Sequence, residues 1–160
     1  KNMPLIEPVE TKENLRIEEL VIVVDTSYST SGELVKKFLR ETFTILSETD
    51  SFFRKRKIHI IQCDELVHSD ITVTGDTDID ILINNFELAG GGNTDFRPAF
   101  EYVNNLIDTG EIKKLQGLLY FTDGKGKYPK KKMPYNTAFV FIDKLSETAV
   151  PAWAMKVSLE

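Results

Sequence analysis

The sequence predicts an α/β domain with a doubly wound, mostly parallel sheet, one antiparallel edge strand and helices on both faces. The run from Leu20 to Val24 is short, apolar and continuous, which is typical of a central parallel strand buried on both faces. The predicted elements follow in the order strand, helix, strand, strand, helix, helix, strand, strand, strand. Such an order favours a mostly parallel sheet with helices packed against it.

The elements that follow the first strand are predicted from their apolar periodicity. Apolar residues between Leu34 and Leu46 recur at steps of three and four, so they predict an amphipathic helix. Strands are predicted from Ile58 to Gln62 and from Val67 to Thr74. The connection between these two strands is too short for a crossover helix. We therefore expect them to pair antiparallel, with the second strand at the edge of the sheet.

The second half of the chain contributes two helices and three strands. A short helix is predicted around Ile79 to Phe86, and a longer one from about Pro98 to Ile107. Strands are predicted from Leu118 to Phe121, from Thr137 to Ile142 and from Ala152 to Val157.

Length and composition predict one folded domain. The chain has 160 residues and a formal net charge of -5, which gives no sign of the basic face typical of nucleic-acid binding. Residues 1–17 mix charges with prolines and are predicted to be a lead-in linker, which leaves 18–160 as the domain. The apolar runs are too short to span a bilayer. Cys63 is the only cysteine, which fits a reducing compartment such as the cytoplasm and leaves a secreted domain without disulfides as the alternative. We expect the chain to be part of a longer polypeptide.

Oxygen-bearing side chains are concentrated in three predicted loops. Asp25, Ser27 and Ser29 follow the first strand, Thr94 lies close after three glycines, and Asp123 follows a later buried strand. In an open α/β sheet, ligands bind beyond the carboxyl ends of the strands. We therefore expect the two aspartates to come together at that end of the sheet.

Two carboxylates in one crevice would repel each other, and a hard cation would remove this repulsion. Hydroxyl and carboxylate oxygens, without nitrogen or sulfur ligands, suit Mg²⁺, Mn²⁺ or Ca²⁺. Because Mg²⁺ prefers about six oxygen ligands, three hydroxyls and two carboxylates leave at least one position for water or for a partner. The pattern predicts a divalent-cation site.

These residues resemble the metal-ion-dependent adhesion site of von Willebrand factor A (VWA) domains, which have a Rossmann-like fold. The similar features are Asp-x-Ser-x-Ser after a buried strand, a later Gly-rich loop with a threonine, and an aspartate after a further strand, over roughly residues 18 to 158. The resemblance implies that Ser27, Ser29 and Thr94 are direct or near-direct ligands, and that Asp25 and Asp123 act mainly through water. It also implies a cation-dependent protein-binding module whose partner presents Asp or Glu to the metal.

More narrowly, the chain is similar to the VWA-like domain of a group of uncharacterised prokaryotic metallopeptidase-like proteins. The similar stretches are Asp-Thr-Ser, Gly-Gly-Asn-Thr-Asp-Phe-Arg-Pro and Pro-Ala-Trp-Ala-Met-Lys-Val. This resemblance implies that any peptidase centre would lie upstream of this chain. Two residues depart from the broader VWA pattern. Tyr28 replaces a frequent glycine and could partly cover the metal, and Asn93 separates the glycines from Thr94.

Simpler interpretations stand beside the metal site. Asp25 alone could cap the following helix. Asp95 could be a carboxylate favoured by a helix N-terminus or could support the site, and Arg97 is expected to form a salt bridge. His59 and His68 lack the close spacing of zinc ligands and are expected to be structural or surface residues.

Other single residues and short segments have similar structural explanations. Cys63 is expected to pack, Trp153 to lie in the core, and the glycines 90–92 to provide loop flexibility. The lysines that follow Asp123 could form a solvated loop or could select an acidic partner; they are Lys125, Lys127, Lys130, Lys131 and Lys132.

Two other functions compete with the binding module. A metal-assisted phosphohydrolase could use the same crevice, but Ser27 stands where an aspartyl-phosphate enzyme favours a second aspartate. A VWA-like scaffold that has lost metal binding is the other alternative, because Tyr28 departs from the pattern. The sequence shows no recognisable nucleophile–base motif, so we expect no enzyme in this chain.

Overall fold

The computed structural model describes residues 18–27, 32–49, 56–141 and 150–158, with the side chains of residues 47–49 excepted. The predicted linker over residues 1–17 lies outside these ranges. So do Tyr28 and the predicted metal ligand Ser29.

The helices and strands follow the predicted order. They are β1 (Glu18–Asp25), α1 (Gly32–Thr49), β2 (Arg56–Cys63), β3 (Val67–Val73), α2 (Ile79–Asn84), α3 (Arg97–Asp108), β4 (Leu115–Thr122), β5 (Asn136–Phe141) and β6 (Met155–Ser158). The last strand begins three residues later than predicted, so Trp153 lies in the turn before β6 and not within it. Its ring packs edge-on against Phe100 at a centroid distance of 6.1 Å, and this contact places it at the margin of the core.

The strands form one sheet in the order β3-β2-β1-β4-β5-β6. All neighbouring strands are parallel except β2 and β3, which are antiparallel, so β3 is the predicted antiparallel edge strand. Asp25 pairs with Cys63, and Val24 pairs with Phe121. The carboxyl ends of β1, β2 and β4 therefore lie side by side at the same end of the sheet.

Both faces of the sheet are covered, as predicted. On one face, Val21 and Val23 of β1 pack in a cluster with Phe100 of α3. On the other face, Ile22 and Val24 pack in a cluster with residues of α1. Successive side chains of a strand point to opposite faces, so a continuous apolar run is what this buried position requires. Within the described ranges, no helix is long and apolar enough to cross a membrane.

The antiparallel edge carries a buried histidine with a structural role. His59 is 2% exposed, and its Nδ1 lies 2.9 Å from Asp70 Oδ1 on the neighbouring strand. The hydroxyl of Tyr102, on α3, donates to Asp70 Oδ2 at 2.6 Å. These contacts connect α3 to the edge strands, and they confirm the structural interpretation of His59.

Candidate functional site

Asp25 is the last residue of β1, and β1 lies between β2 and β4 in the sheet. The side chain of Asp25 is fully buried, with a residue exposure of 0%. Oδ1 accepts the backbone N–H of Ser27 at 2.8 Å, and Oδ2 accepts the hydroxyl of Thr122 at 2.6 Å. The first contact turns the chain sharply after the strand, and Ser27 is consequently buried as well.

The electrostatic environment of Asp25 disfavours its charged form. Desolvation by burial raises the pKa of the carboxyl; the hydrogen bonds from Thr122 and Ser27 oppose this effect, and the charge of Asp123 adds to it. Among the described residues, no cationic side chain is a main cause of the shift in this pKa. A buried carboxylate is costly without a counter-charge, so Asp25 in these surroundings would either take up a proton or be stabilised by a cation.

The loop after β4 is joined to Asp25 through Thr122. The Thr122 hydroxyl donates to Asp25 and accepts the N–H of Gly124 at 3.0 Å. Asp123 is the next residue, partly buried, and its Oδ1 accepts the N–H of Lys125 at 3.0 Å. Thr122 was predicted only as part of this oxygen-rich loop and not as a ligand, and its contact with Asp25 was not foreseen. The only local signal was its hydroxyl immediately before Asp123.

The glycine loop packs directly on the loop after β1. The N–H of Gly91 donates to the carbonyl oxygen of Thr26 at 2.8 Å. Gly90 has a φ of +136°, and a Cβ added there would lie 2.6 Å from Thr26 Oγ1. Only glycine tolerates both conditions. The prediction that these glycines simply provide flexibility is therefore wrong for Gly90, which allows a close approach of two loops.

Thr94 lies against the loop after β4. A Cβ added to Gly126 would lie 2.7 Å from Thr94 Cγ2. The N–H of Phe96 donates to the carbonyl oxygen of Lys127 at 3.0 Å. Each of the three oxygen-rich loops thus contacts the other two. The structure brings together the loops of Asp25, Thr94 and Asp123, whereas Ser29 lies outside the described residues.

The side-chain oxygen atoms in these loops are suitable ligands for a hard cation. They are carboxylate and hydroxyl oxygens, and such oxygens are the ligands of Mg²⁺, Mn²⁺ and Ca²⁺. Over the ranges that the structure describes, no group of three or more His, Cys, Asp or Glu residues could hold a metal ion. A metal at this end of the sheet would therefore need the hydroxyls, or water, in addition to the carboxylates.

Neighbouring groups have the structural roles expected of them. Asp95 Oδ1 accepts the N–H of Arg97 at 3.0 Å, and its two oxygens contact Arg97 Nε and an Nη atom at 2.9 and 2.7 Å. Hydrogen bonding to Arg97 holds the pKa of Asp95 below its ordinary value. The salt bridge of Arg97 is confirmed. Asp95 lies before the N-cap residue Phe96 and accepts the N–H of Arg97, the first residue of α3; its role towards a helix dipole or the site stays a prediction. Burial raises the pKa of Cys63 to about 12, as expected of a packing residue.

Comparisons with known proteins agree with this architecture. The structure is similar to that of the SpRpn10 VWA domain, with 12% identity, a TM-score of 0.56 and coverage of 90% of this chain and 88% of that chain. It is also similar to an aerotolerance-related membrane protein from Bacteroides fragilis NCTC 9343 with multiple mutations to serines. That match has 13% identity, a TM-score of 0.51 and coverage of 78% and 67%. At these identities the likeness shows the fold alone.

The sequence comparisons are more specific. A search of curated proteins found no match. A family model described as a VWA-like domain (DUF2201) matches residues 20–160. The matched region includes all six strands except the first two residues of β1. The chain therefore belongs to this family of VWA-like domains.

Proposed function

We propose that this domain is a divalent-cation-dependent protein-binding module. Mg²⁺, or Mn²⁺ or Ca²⁺ in its place, would be held by the side chains of Asp25, Ser27, Ser29, Thr94 and Asp123. The cation, when bound, supplies an electrophilic position for a carboxylate oxygen of a partner protein. The observation that carries the proposal is the buried carboxylate of Asp25, which is influenced by Asp123 and by neutral hydrogen-bond donors.

The side chains have distinct parts in this proposal. Ser27 and Thr94 offer neutral oxygens, so they add ligands without adding charge. Asp25 and Asp123 supply the negative charge that attracts the cation, and they can act through bound water. Thr122 keeps Asp25 in place, because its hydroxyl bridges the carboxylate and the N–H of Gly124.

A basic segment beside the site supports the proposal that the partner is acidic. All five lysines between residues 125 and 132 are exposed, although the chain as a whole carries a net charge of -5. Phe96 N–H donates to the carbonyl of Lys127, so this segment is attached directly to the Thr94 loop. Complementary charge of this kind speeds association and selects partners. The proposed partner is therefore a protein that presents Asp or Glu side chains.

The proposal assigns binding and not catalysis to this chain. A metal-assisted phosphohydrolase gains no support from the site, because Ser27 stands where a second aspartate would be favoured. The link to a metallopeptidase-like parent protein and the cytoplasmic location stay predictions from the sequence.

Isothermal titration calorimetry with Mg²⁺ and Mn²⁺ tests the proposal. We expect saturable binding to the wild type and none that is measurable to Asp25→Ala. Asp108→Ala is the matched control, because Asp108 is exposed at the last residue of α3, away from the loop that precedes this helix. This control should bind as the wild type does. Equal heats in the wild type and Asp25→Ala would overturn the proposal.

A further inference from the structure

Asp64 is a buried carboxylate that belongs to none of the three oxygen-rich loops. It follows the last residue of β2 and is 4% exposed. Its Oδ1 accepts the N–H of Leu66 at 2.9 Å and lies 2.8 Å from Nε2 of His68. Its Oδ2 accepts the N–H of Gly92 at 3.0 Å. The side chain therefore joins the turn between β2 and β3 to the glycine loop.

The backbone of Asp64 makes a second contact with the same loop. Its carbonyl oxygen accepts the N–H of Asp95 at 3.2 Å. The neighbouring Glu65 accepts the N–H of Asn93 through Oε1 at 3.3 Å. Thr94 thus lies between two attachment points on one residue, Gly92 before it and Asp95 after it.

The space around Gly92 shows how closely the carboxylate and the loop fit. A Cβ added to Gly92 would lie 2.9 Å from Asp64 Oδ2, so a larger residue would push the carboxylate away from the backbone. Three consecutive glycines have a large conformational freedom, and fixing each residue costs free energy. The hydrogen bond from Gly92 N–H to the Asp64 carboxylate offsets part of that cost, two residues before Thr94.

We infer that Asp64 is a positioning residue, which holds the glycine loop so that the Thr94 hydroxyl is in place for the cation. This inference rests on the proposed function. The ligand is the same divalent cation, and Asp64 itself does not touch it. Groups that orient metal ligands change metal affinity by about 10- to 100-fold when they are removed.

The same pair of strands contains a matched control. Asp70, on β3, also pairs with a histidine, but its other contact is the hydroxyl of Tyr102 and not the glycine loop. If the substitutions acted only by destabilising the edge strands, Asp70→Asn and Asp64→Asn would change metal binding and loop exchange to a similar extent. A positioning role would appear in Asp64→Asn alone.

The experiment measures two quantities for the wild type, Asp64→Asn and Asp70→Asn. The first is the dissociation constant for Mn²⁺, by calorimetry. The second is amide hydrogen exchange of Gly91, Gly92 and Asp95 in the metal-free protein. We expect Asp64→Asn to weaken Mn²⁺ binding by about 10-fold or more and to speed exchange in the loop. Asp70→Asn should leave both quantities within about twofold of the wild type, because it removes no contact to the loop.

Gly92→Ala provides a second route that keeps every charge. A Cβ there would lie 2.9 Å from Asp64 Oδ2 and 3.0 Å from Glu65 Oε1, so it should displace both carboxylates and produce the same two changes. Glu65→Gln, which leaves Asp64 in place, is its control, and the pair keeps the inference testable if Asp64→Asn does not fold. Unchanged Mn²⁺ affinity together with unchanged loop exchange would overturn the inference. So would equal effects in Asp70→Asn. If Asp25→Ala binds Mn²⁺ like the wild type, the proposed function fails, and the exchange of the loop amides alone then decides whether Asp64 orders Thr94.

Discussion

Asp25 and Asp64 are buried carboxylates at the ends of neighbouring parallel strands, but their surroundings differ. Burial would raise the pKa of Asp64, but the hydrogen bonds from Leu66, His68 and Gly92 outweigh it and lower the pKa. At Asp25 burial dominates, and the pKa is raised despite the bonds from Thr122 and Ser27. Asp64 is thus satisfied by the protein itself. At Asp25 the described surroundings disfavour the charged form, and this contrast is the basis on which we propose Asp25, and not Asp64, as a metal ligand.

The largest effect on stability is expected from Asp64→Asn in the metal-free protein. Hydrogen bonds to a charged group are worth about 1.5–3 kcal/mol, so the free energy of unfolding should fall by roughly 2–3 kcal/mol at neutral pH. Urea unfolding measures this change. When folding lowers the pKa of a carboxyl group, its charged form stabilises the fold at pH values above the pKa of the unfolded state. This stabilisation is lost as pH falls through the pKa of the folded state. The difference from wild type should therefore shrink below the ordinary pKa of 3.8. A constant difference at all pH values would contradict this account of Asp64.

Asp25→Asn should have a smaller effect of opposite sign in the metal-free protein. A raised pKa means that the folded state binds the proton more tightly, so wild-type stability should rise as pH falls from the folded pKa of Asp25 towards 3.8. Asparagine removes the buried charge, so the variant should gain on the order of 1 kcal/mol at neutral pH, about 2–4 °C in melting temperature. It should also lose this part of the pH dependence. Thermal unfolding between pH 4 and 8 measures both. A variant that is less stable than the wild type would show that the fold already satisfies Asp25.

The smallest effect is expected from replacing Lys130, Lys131 and Lys132 together by serine. These side chains are exposed, and exposed substitutions usually change stability by no more than about 0.5 kcal/mol. Their charges are also screened by salt over distances beyond about 8 Å. Calorimetry at physiological salt should find Mn²⁺ affinity within about twofold of the wild type. A large gain in affinity, from the loss of positive charges that repel Mn²⁺, would mean that the charge of this loop, and not the local contacts of Asp25, governs the site.

The fold was predictable because its strongest signals are local. The continuous apolar run of β1 indicated a central strand, and the short connection after β2 indicated the antiparallel edge. Strand ends were less predictable, because they depend on pairing with distant residues. Arg56 begins β2 two residues before the predicted start, opposite Glu18, and its Nε donates to Glu18 Oε1 at 3.0 Å.

The candidate site was predictable only in part, for the same physical reason. Asp25 and Asp123 follow buried strands, so their meeting at one end follows from the sheet. The contacts of Thr122 with Asp25 and of Asp64 with Gly92 were not predicted, because they span 97 and 28 residues of sequence. No local pattern indicates such contacts. Gly90 was likewise explained only by the Thr26 side chain against which it packs.

The most direct test of the central claim is the position of a bound cation. Crystals soaked in Mn²⁺ should give an anomalous scattering peak among the side-chain oxygens of Ser27, Thr94 and Asp123, beside Asp25. Crystals of Asp25→Ala, soaked in the same way, should lack it. A wild-type map without a peak at this end of the sheet, or an equal peak in the variant, would contradict the metal-binding account.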